Sequence, residues 1–370
     1  HDHTGGNYWL ADVIKYQDSQ GHLRLGGDLS TTQLIALDYG QQRAKEHLSQ
    51  AGDLEVNGNS VKVINLTGHK LITGYPEGRR MWLNIVWKDS NGDTVREDGA
   101  YGALTVSFDV NGDGNVNASD TVNSLLDLHD PNTNVYEAHG AITKEWADKL
   151  IAVSSTYTGI PVAYDRITGA VTHTVGDIAA LNPGEYHETF HFVLNNKVVK
   201  DNRIPPYGMD YDQSLTRSIL PVPVTQYGNP GPGGTFNYWD DVTLNPPAGA
   251  VTADINLMYQ PTSWEYIQFL DHANNGSVTY LANEGTNILD AWLNTGMAAP
   301  VEMSFTSAAV TAVTTGVPGE ASHGDDVFEQ MQAGYNVGTG QIEMTYTAAC
   351  DAVDHTVYYG DIADVSTYTY

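Results

Sequence analysis

Apolar residues recur along this chain with two different periods. Behind Ser30 and Thr31, either of which suits an N-cap, Leu34, Leu37, Ala44 and Leu48 fall at helical spacing, and the pattern ends near Gly52. From Leu54 the period drops to two. Leu54 and Val56, then Val61 and Val63, alternate with polar residues as a half-buried strand requires. Strand-like text continues to about residue 245 through 81–88, 102–108, 186–194 and 197–200, with helices expected at 119–129 and 143–150. Ahead of all this, residues 1–28 are polar and Gly-rich, with Trp9, Leu10, Val13 and Ile14 as a short apolar patch, and read as an extended segment.

A second helical stretch runs from Ser263 to about Thr295 and breaks near Gly276 and Gly285. Trp264, Ile267 and Leu270 share one face of its first part, and Ile288, Leu289, Trp292 and Leu293 stripe its last part. After Pro300 the text alternates again at 301–305, 341–346 and 355–359, like paired strands of a fibronectin type III-like (Ig-like) domain. The expected fold is mostly β with helical insertions, in four parts. These are an N-terminal extended segment and helix over 1–52, a β-sandwich with a loop insertion over 53–250, a helical segment over 251–300, and a fibronectin type III-like β domain over 301–370. That last domain reads as incomplete, because a β-like run is still in progress at Tyr370.

Charge narrows the partners. Acidic residues number 45 against 17 Lys plus Arg, a net charge of -28. Such a surface repels nucleic acid and anionic lipid, both of which are bound by neutralising phosphate, and it favours divalent cations and basic partners. No run approaches the roughly 18 apolar residues that a membrane helix needs. Cys350 is the single cysteine, so the chain holds no internal disulfide, and its start at His1 without a leader-like stretch reads as a processed chain or a fragment. An extracellular, cell-surface or periplasmic setting is expected, with self-association into an oligomer or filament among the partner options.

One segment carries specific chemistry. Asp109-Val110-Asn111-Gly112-Asp113-Gly114-Asn115-Val116-Asn117-Ala118-Ser119-Asp120 fits the twelve-residue EF-hand loop. Asp109, Asn111 and Asp113 hold positions one, three and five, where side-chain oxygens suit a hard cation. Gly114 stands where the chain must turn sharply, Asn115 would offer its carbonyl, and Val116 is the apolar plug. Asp120 takes position twelve, a shorter acid than the usual Glu and the variant typical of dockerin-like loops. Strand-like text enters the loop, and Val122, Leu125 and Leu126 suggest a helix leaving it, so the expectation is a structural calcium site and not a paired sensor hand.

Histidines offer weaker signals. His187-Glu188-Thr189-Phe190-His191 matches HExxH, whose zinc chemistry needs a helix. Here the surroundings alternate, and on a strand the two imidazoles would stand about 13 Å apart at roughly 3.3 Å per residue. His69, flanked by Gly68 and followed by Arg79 and Arg80, suits an anion or a metal, or simple burial in a turn. His1 and His3 sit at one end of the chain. There is no GxSxG and no phosphate-binding glycine loop, and nothing argues positively for catalysis.

Several phrases resemble the non-haem C-terminal region of secreted bacterial multihaem c-type cytochromes. They are Gly68-His69-Lys70-Leu71-Ile72-Thr73-Gly74-Tyr75-Pro76 with Arg79 and Arg80, Phe190 to Asn196, Lys200 to Gly208, Tyr259 to Leu270, and Asp290 to Gly296. The opening, His3 to Trp9, is similar to the stretch after the last haem-attachment motif in such proteins. Because Cys-x-x-Cys-His is absent here, haem c would have to be carried by a part of the protein or a partner outside this chain. The resemblance implies an accessory scaffold for extracytoplasmic electron transfer, with His3 and His69 as axial-ligand candidates and other cytochrome subunits as partners. The alternative is a haemless surface structural, adhesion or filament protein.

Overall fold

The computed structural model describes residues 2–24, 26–72, 76–110, 115–117, 120–311, 332–336 and 341–345, with backbone alone at 2–5, 332–336 and 341–345. The chain opens on two helices, α1 (Asp2–Ser19) and α2 (Thr31–Leu48). The expectation of an extended N-terminal segment is therefore corrected. Tyr8, Trp9, Ala11 and Val13 are buried, and packing of that face offsets the poor helix propensity of Gly5 and Gly6. Ser30 caps α2 as expected, in a reciprocal capping box with Gln33.

Strands follow: β1 (Gly52–Asn57), β2 (Ser60–Asn65), β3 (Arg80–Lys88), β4 (Thr94–Asp98), β5 (Tyr101–Thr105), β6 (Thr121–Leu125), β7 (Val135–Tyr136) and β8 (Ala138–Thr143). Next come α3 (Lys144–Val153), capped by Thr143, then β9 (Pro161–Tyr164), β10 (Val171–Thr174), α4 (Val175–Ala179), β11 (Tyr186–Glu188), β12 (Lys197–Asp201) and α5 (Tyr211–Thr216). The first unit closes with β13 (Trp239–Thr243), β14 (Thr252–Gln260), α6 (Trp264–Ala273), α7 (Glu284–Asn294) and β15 (Val301–Ala309).

The fold is mostly β with helical segments, and the ladders of the two main sheets are antiparallel among the described residues. The largest sheet runs β15-β14-β3-β4, with β7 also on β3, and a second runs β1-β2-β13. Their apolar positions alternate into one core. Ile85 faces Ile255 and Leu83 faces Leu257 across β3 and β14, while Leu54, Val61, Val63 and Val242 enter from the second sheet. A smaller sheet, β11-β8-β12, packs with α3, β9, β10 and α4 around Ile142, Val162, Val175 and Ile178.

Three boundaries differ from the periodicity. Val301–Ala309 pairs along its length with β14, so the first unit runs through Thr311 and its last strand lies inside the expected C-terminal domain. The expected helical segment over 251–300 begins with β14, a central strand of the largest sheet. The expected helix over 119–129 is instead β6, because Thr121 and Val122 alternate and every residue of β6 finds a partner on β5. The second unit, Ala312–Tyr370, shows the hairpin β16 (Gln332–Asn336) and β17 (Gln341–Thr345), with Gln332 opposite Thr345. Cys350 and residues 355–359 lie outside the described residues.

Candidate functional site

The acidic loop joins β5 to β6, so both of its arms are strands. Asp120 is fully buried, and its carboxylate accepts from the backbone amides of Val110 at 3.1 Å and Asn117 at 2.8 Å. A buried carboxylate bonded to two backbone amides of the loop closes its mouth, helped by the Val106 amide donating to the Asp120 carbonyl at 2.8 Å. Val116 is 58 % exposed, so it does not act as a plug in the core. Asp109 and Asn115 are described, whereas Asn111 and Asp113 lie outside the described residues.

His69 is exposed on a turn whose backbone is clamped. Asn65, 2 % exposed, donates to the carbonyls of His69 (2.7 Å), Ile204 (2.9 Å) and Pro205 (3.0 Å), and accepts from the amide and hydroxyl of Thr67. Leu71 exchanges both backbone hydrogen bonds with Ile204. Between them Lys70 pairs with Asp201 at 2.7 Å, and Arg203 pairs with the same carboxylate at 2.8 Å. Burial raises the Asp201 pKa, but Arg203 and Lys70 outweigh it and hold the carboxyl below its ordinary value. The turn borders a pocket of about 250 Å³ lined in part by His47, Leu48, Leu66, His69, Arg79 and Met303. The side chain of His3 lies outside the described residues.

The two arginines after the turn part company. Arg79 joins the pocket, whereas Arg80 is buried and donates to Gln260 (2.9 Å), Glu265 (3.3 Å) and Ser124 (3.0 Å). Arg166 reaches the same Glu265 at 3.1 Å. Burial pushes Glu265 up, yet Arg80 and Arg166 win and keep it below the ordinary carboxylate range. This network ties β3, β6 and α6 together, so Arg80 serves the fold.

The HExxH segment is no zinc helix. His187 lies on β11, which ends at Glu188, and His191 follows in a turn with its ring 5.9 Å from that of Phe269. A cluster that sequence reasoning missed sits beside it. His139 on β8 bonds Glu188 (2.7 Å) and Glu137 (3.1 Å), and Lys200 reaches Glu137 at 2.7 Å. Burial alone would lower His139, but its two carboxylates raise its pKa to about 9. Burial likewise opposes ionisation of Glu137, and His139 and Lys200 pull it down to about 2. The signal available in sequence was Glu137-x-His139, two residues that share one face of a strand. With both nitrogens engaged, His139 acts as a cation and not as a metal ligand.

Among the described residues, no group of three or more His, Cys, Asp or Glu side chains is placed to hold a metal ion, and no helix is long and apolar enough to cross a membrane. No protein-family model matches this sequence, and no curated protein matches it. Among solved structures, a penta-heme cytochrome c552 from Thermochromatium tepidum aligns at 14 % identity with a TM-score of 0.27. That alignment covers 72 % of this chain and 41 % of the cytochrome, so this chain spans less than half of that protein's length. Overlap this low transfers no role from one to the other.

Proposed function

We propose that this chain is the calcium-stabilised accessory region of an extracytoplasmic multihaem cytochrome, a scaffold presenting His69 to a haem borne outside these residues. The clamp on the His69 turn carries this reading. The segment with His69, Lys70 and Leu71 meets the segment with Asp201, Arg203 and Ile204 through a backbone bridge and an ion triad. Both segments belong to the phrases that resemble such cytochromes, and they converge on one exposed imidazole. An exposed side chain on an over-determined backbone suits presentation to a partner better than it suits packing. A neutral imidazole nitrogen is an axial ligand for haem iron, and His69 would supply it, with His3 as the second candidate. Asp109, Asn111, Asp113, Asn115 and Asp120 would hold calcium, which supplies the counter-charge that orders the acidic loop.

The test is an absorption spectrum and intact mass of the native protein from its source. A Soret band with a mass above 40.1 kDa is expected, and His69→Ala should then turn a low-spin haem signal high-spin while haem is retained. No haem at a mass of 40.1 kDa would overturn the reading in favour of a haemless surface scaffold. A spectrum indifferent to His69→Ala would remove His69 from its role.

A further inference from the structure

One cavity, lined from β8, β9 and α6, joins aromatic walls to a carboxylate that no cation of the described residues pairs. Its volume is about 150 Å³. Tyr164, Phe269 and Phe190 form a continuous wall, with ring centroids 6.2 Å apart at each step. Glu77, Glu188 and Glu265 line it as acids, against the single base His139 among the described residues. We propose that this cavity binds a small organic ammonium ion, an alkyl- or arylalkylamine in its protonated form, with Glu77 as the counter-ion.

Two of the three acids are already spent. Glu188 holds His139 at 2.7 Å, and Glu265 is shared by Arg80 at 3.3 Å and Arg166 at 3.1 Å. Glu77 forms no ion pair among the described residues, and its Oε2 is buried with no hydrogen-bond donor. Arg203, the cation whose field reaches it, is held by Asp201 through both Nε and Nη2 at 2.8 Å. Burial therefore prevails and raises the Glu77 carboxyl above its ordinary value. Tyr164 repeats the pattern. Its hydroxyl is buried without a partner, and burial raises its pKa with nothing opposing it. A buried oxygen left unpaired costs about 1–3 kcal/mol, more when charged, so a ligand that donates to both recovers that loss.

The lining selects the class of ligand. An ammonium head brings three N–H donors together with the charge that Glu77 lacks. Aromatic faces add to this, since they attract a cation within about 6 Å of the ring centroid. An anion meets three lining carboxylates and the field of a chain with net charge -28. A hard metal ion needs several oxygen ligands, and one uncommitted carboxylate among aromatic rings does not supply them. Size sets the body of the ligand. An apolar cavity of about 150 Å³ holds a molecule as large as benzene, so one ring or a short alkyl chain fits behind the head. A neighbouring cleft of about 320 Å³ shares Glu77, Ala138, His139 and Gly140 with the cavity and gives the path of entry.

The test is calorimetric titration of the full-length chain with benzylammonium and with benzyl alcohol, its neutral counterpart of nearly equal shape. One equivalent of benzylammonium should bind, about tenfold or more tighter than the alcohol, as a charge-assisted hydrogen bond warrants. Glu77→Gln keeps the shape of the cavity and removes the charge, so it should erase that preference while leaving the affinity for benzyl alcohol unchanged. Tyr164→Phe keeps the ring and removes the hydroxyl, and should weaken benzylammonium by severalfold. Equal affinity of the unaltered protein for both probes would leave an apolar cavity and overturn the proposal, as would no binding of either. A preference for benzylammonium that survives Glu77→Gln would equally overturn it. The comparison of the two probes on the unaltered chain stands even where a variant fails to fold.

Discussion

The two loops that carry the candidate chemistry are held in opposite ways. The His69 turn is braced by a buried amide, a backbone bridge and an ion triad, all supplied by the protein itself. The acidic loop is closed at its mouth by Asp120, while its sequence adds Asp109 and Asp113 to the same short span. Like charges in so short a span would raise the free energy of the folded loop, and the proposed calcium ion would offset them. One site is preformed and the other, on the calcium reading proposed above, would depend on its ligand, and that contrast can be broken by experiment.

The largest effect is expected at the preformed site. Asn65→Ala strips a donor from three carbonyls and should cost about 2–4 kcal/mol by denaturant titration, equally with calcium and with chelator. A loss that depends on calcium would show that the two loops are coupled. At the acidic loop the dependence should reverse. Calcium at a hundredfold above its Kd adds about 2.7 kcal/mol. Asp113→Ala should remove most of that in calcium and almost nothing in chelator, whereas an equal loss in both buffers would exclude an ion from the loop.

A third region, the His139 cluster, provides its own counter-charge, and pH is the variable that sharpens its place in the comparison. The folded pKa of His139, about 9, lies above the ordinary 6.5, so its stabilisation is complete below about pH 6.5 and is lost as pH rises through 9. The folded value of Glu137, about 2, lies below the ordinary 4.5, so its contribution is present above pH 4.5 and is lost as pH falls towards 2. The two together stabilise most between about pH 4.5 and 6.5. His139→Gln should erase the alkaline limb, worth about 1–2 kcal/mol, in melting curves taken from pH 6 to 10.

How far the sequence reached depended on how local each determinant was. Helix α2 and its Ser30 cap, helix α3 behind Thr143, and the strands at β1 to β3 follow from periodicity and nearby capping. Helix α1 did not, because its residues earn their helix from burial of Tyr8 and Trp9 and not from propensity. Strand β6 is the opposite case: Val122, Leu125 and Leu126 carry helical i, i+3, i+4 spacing, but over so short a run pairing with β5 overrides it. In the sites, the oxygen-rich loop was legible because its ligands are consecutive. The His139 cluster was not, since Glu188 and Lys200 reach it only through the pairing of β11 and β12 with β8.

The smallest expected effect is the most discriminating one. His69→Ala removes an exposed side chain and leaves in place the bonds by which Asn65 and Thr67 hold the His69 carbonyl, Ile204 holds Leu71, and Asp201 holds Lys70. Its cost in stability should therefore stay within about 0.5 kcal/mol, the range of surface substitutions. Measured beside Asn65→Ala, it separates the residue that is presented from the residue that does the presenting. A loss at His69 comparable with that at Asn65 would make the imidazole part of the clamp and would count against its proposed role toward haem iron.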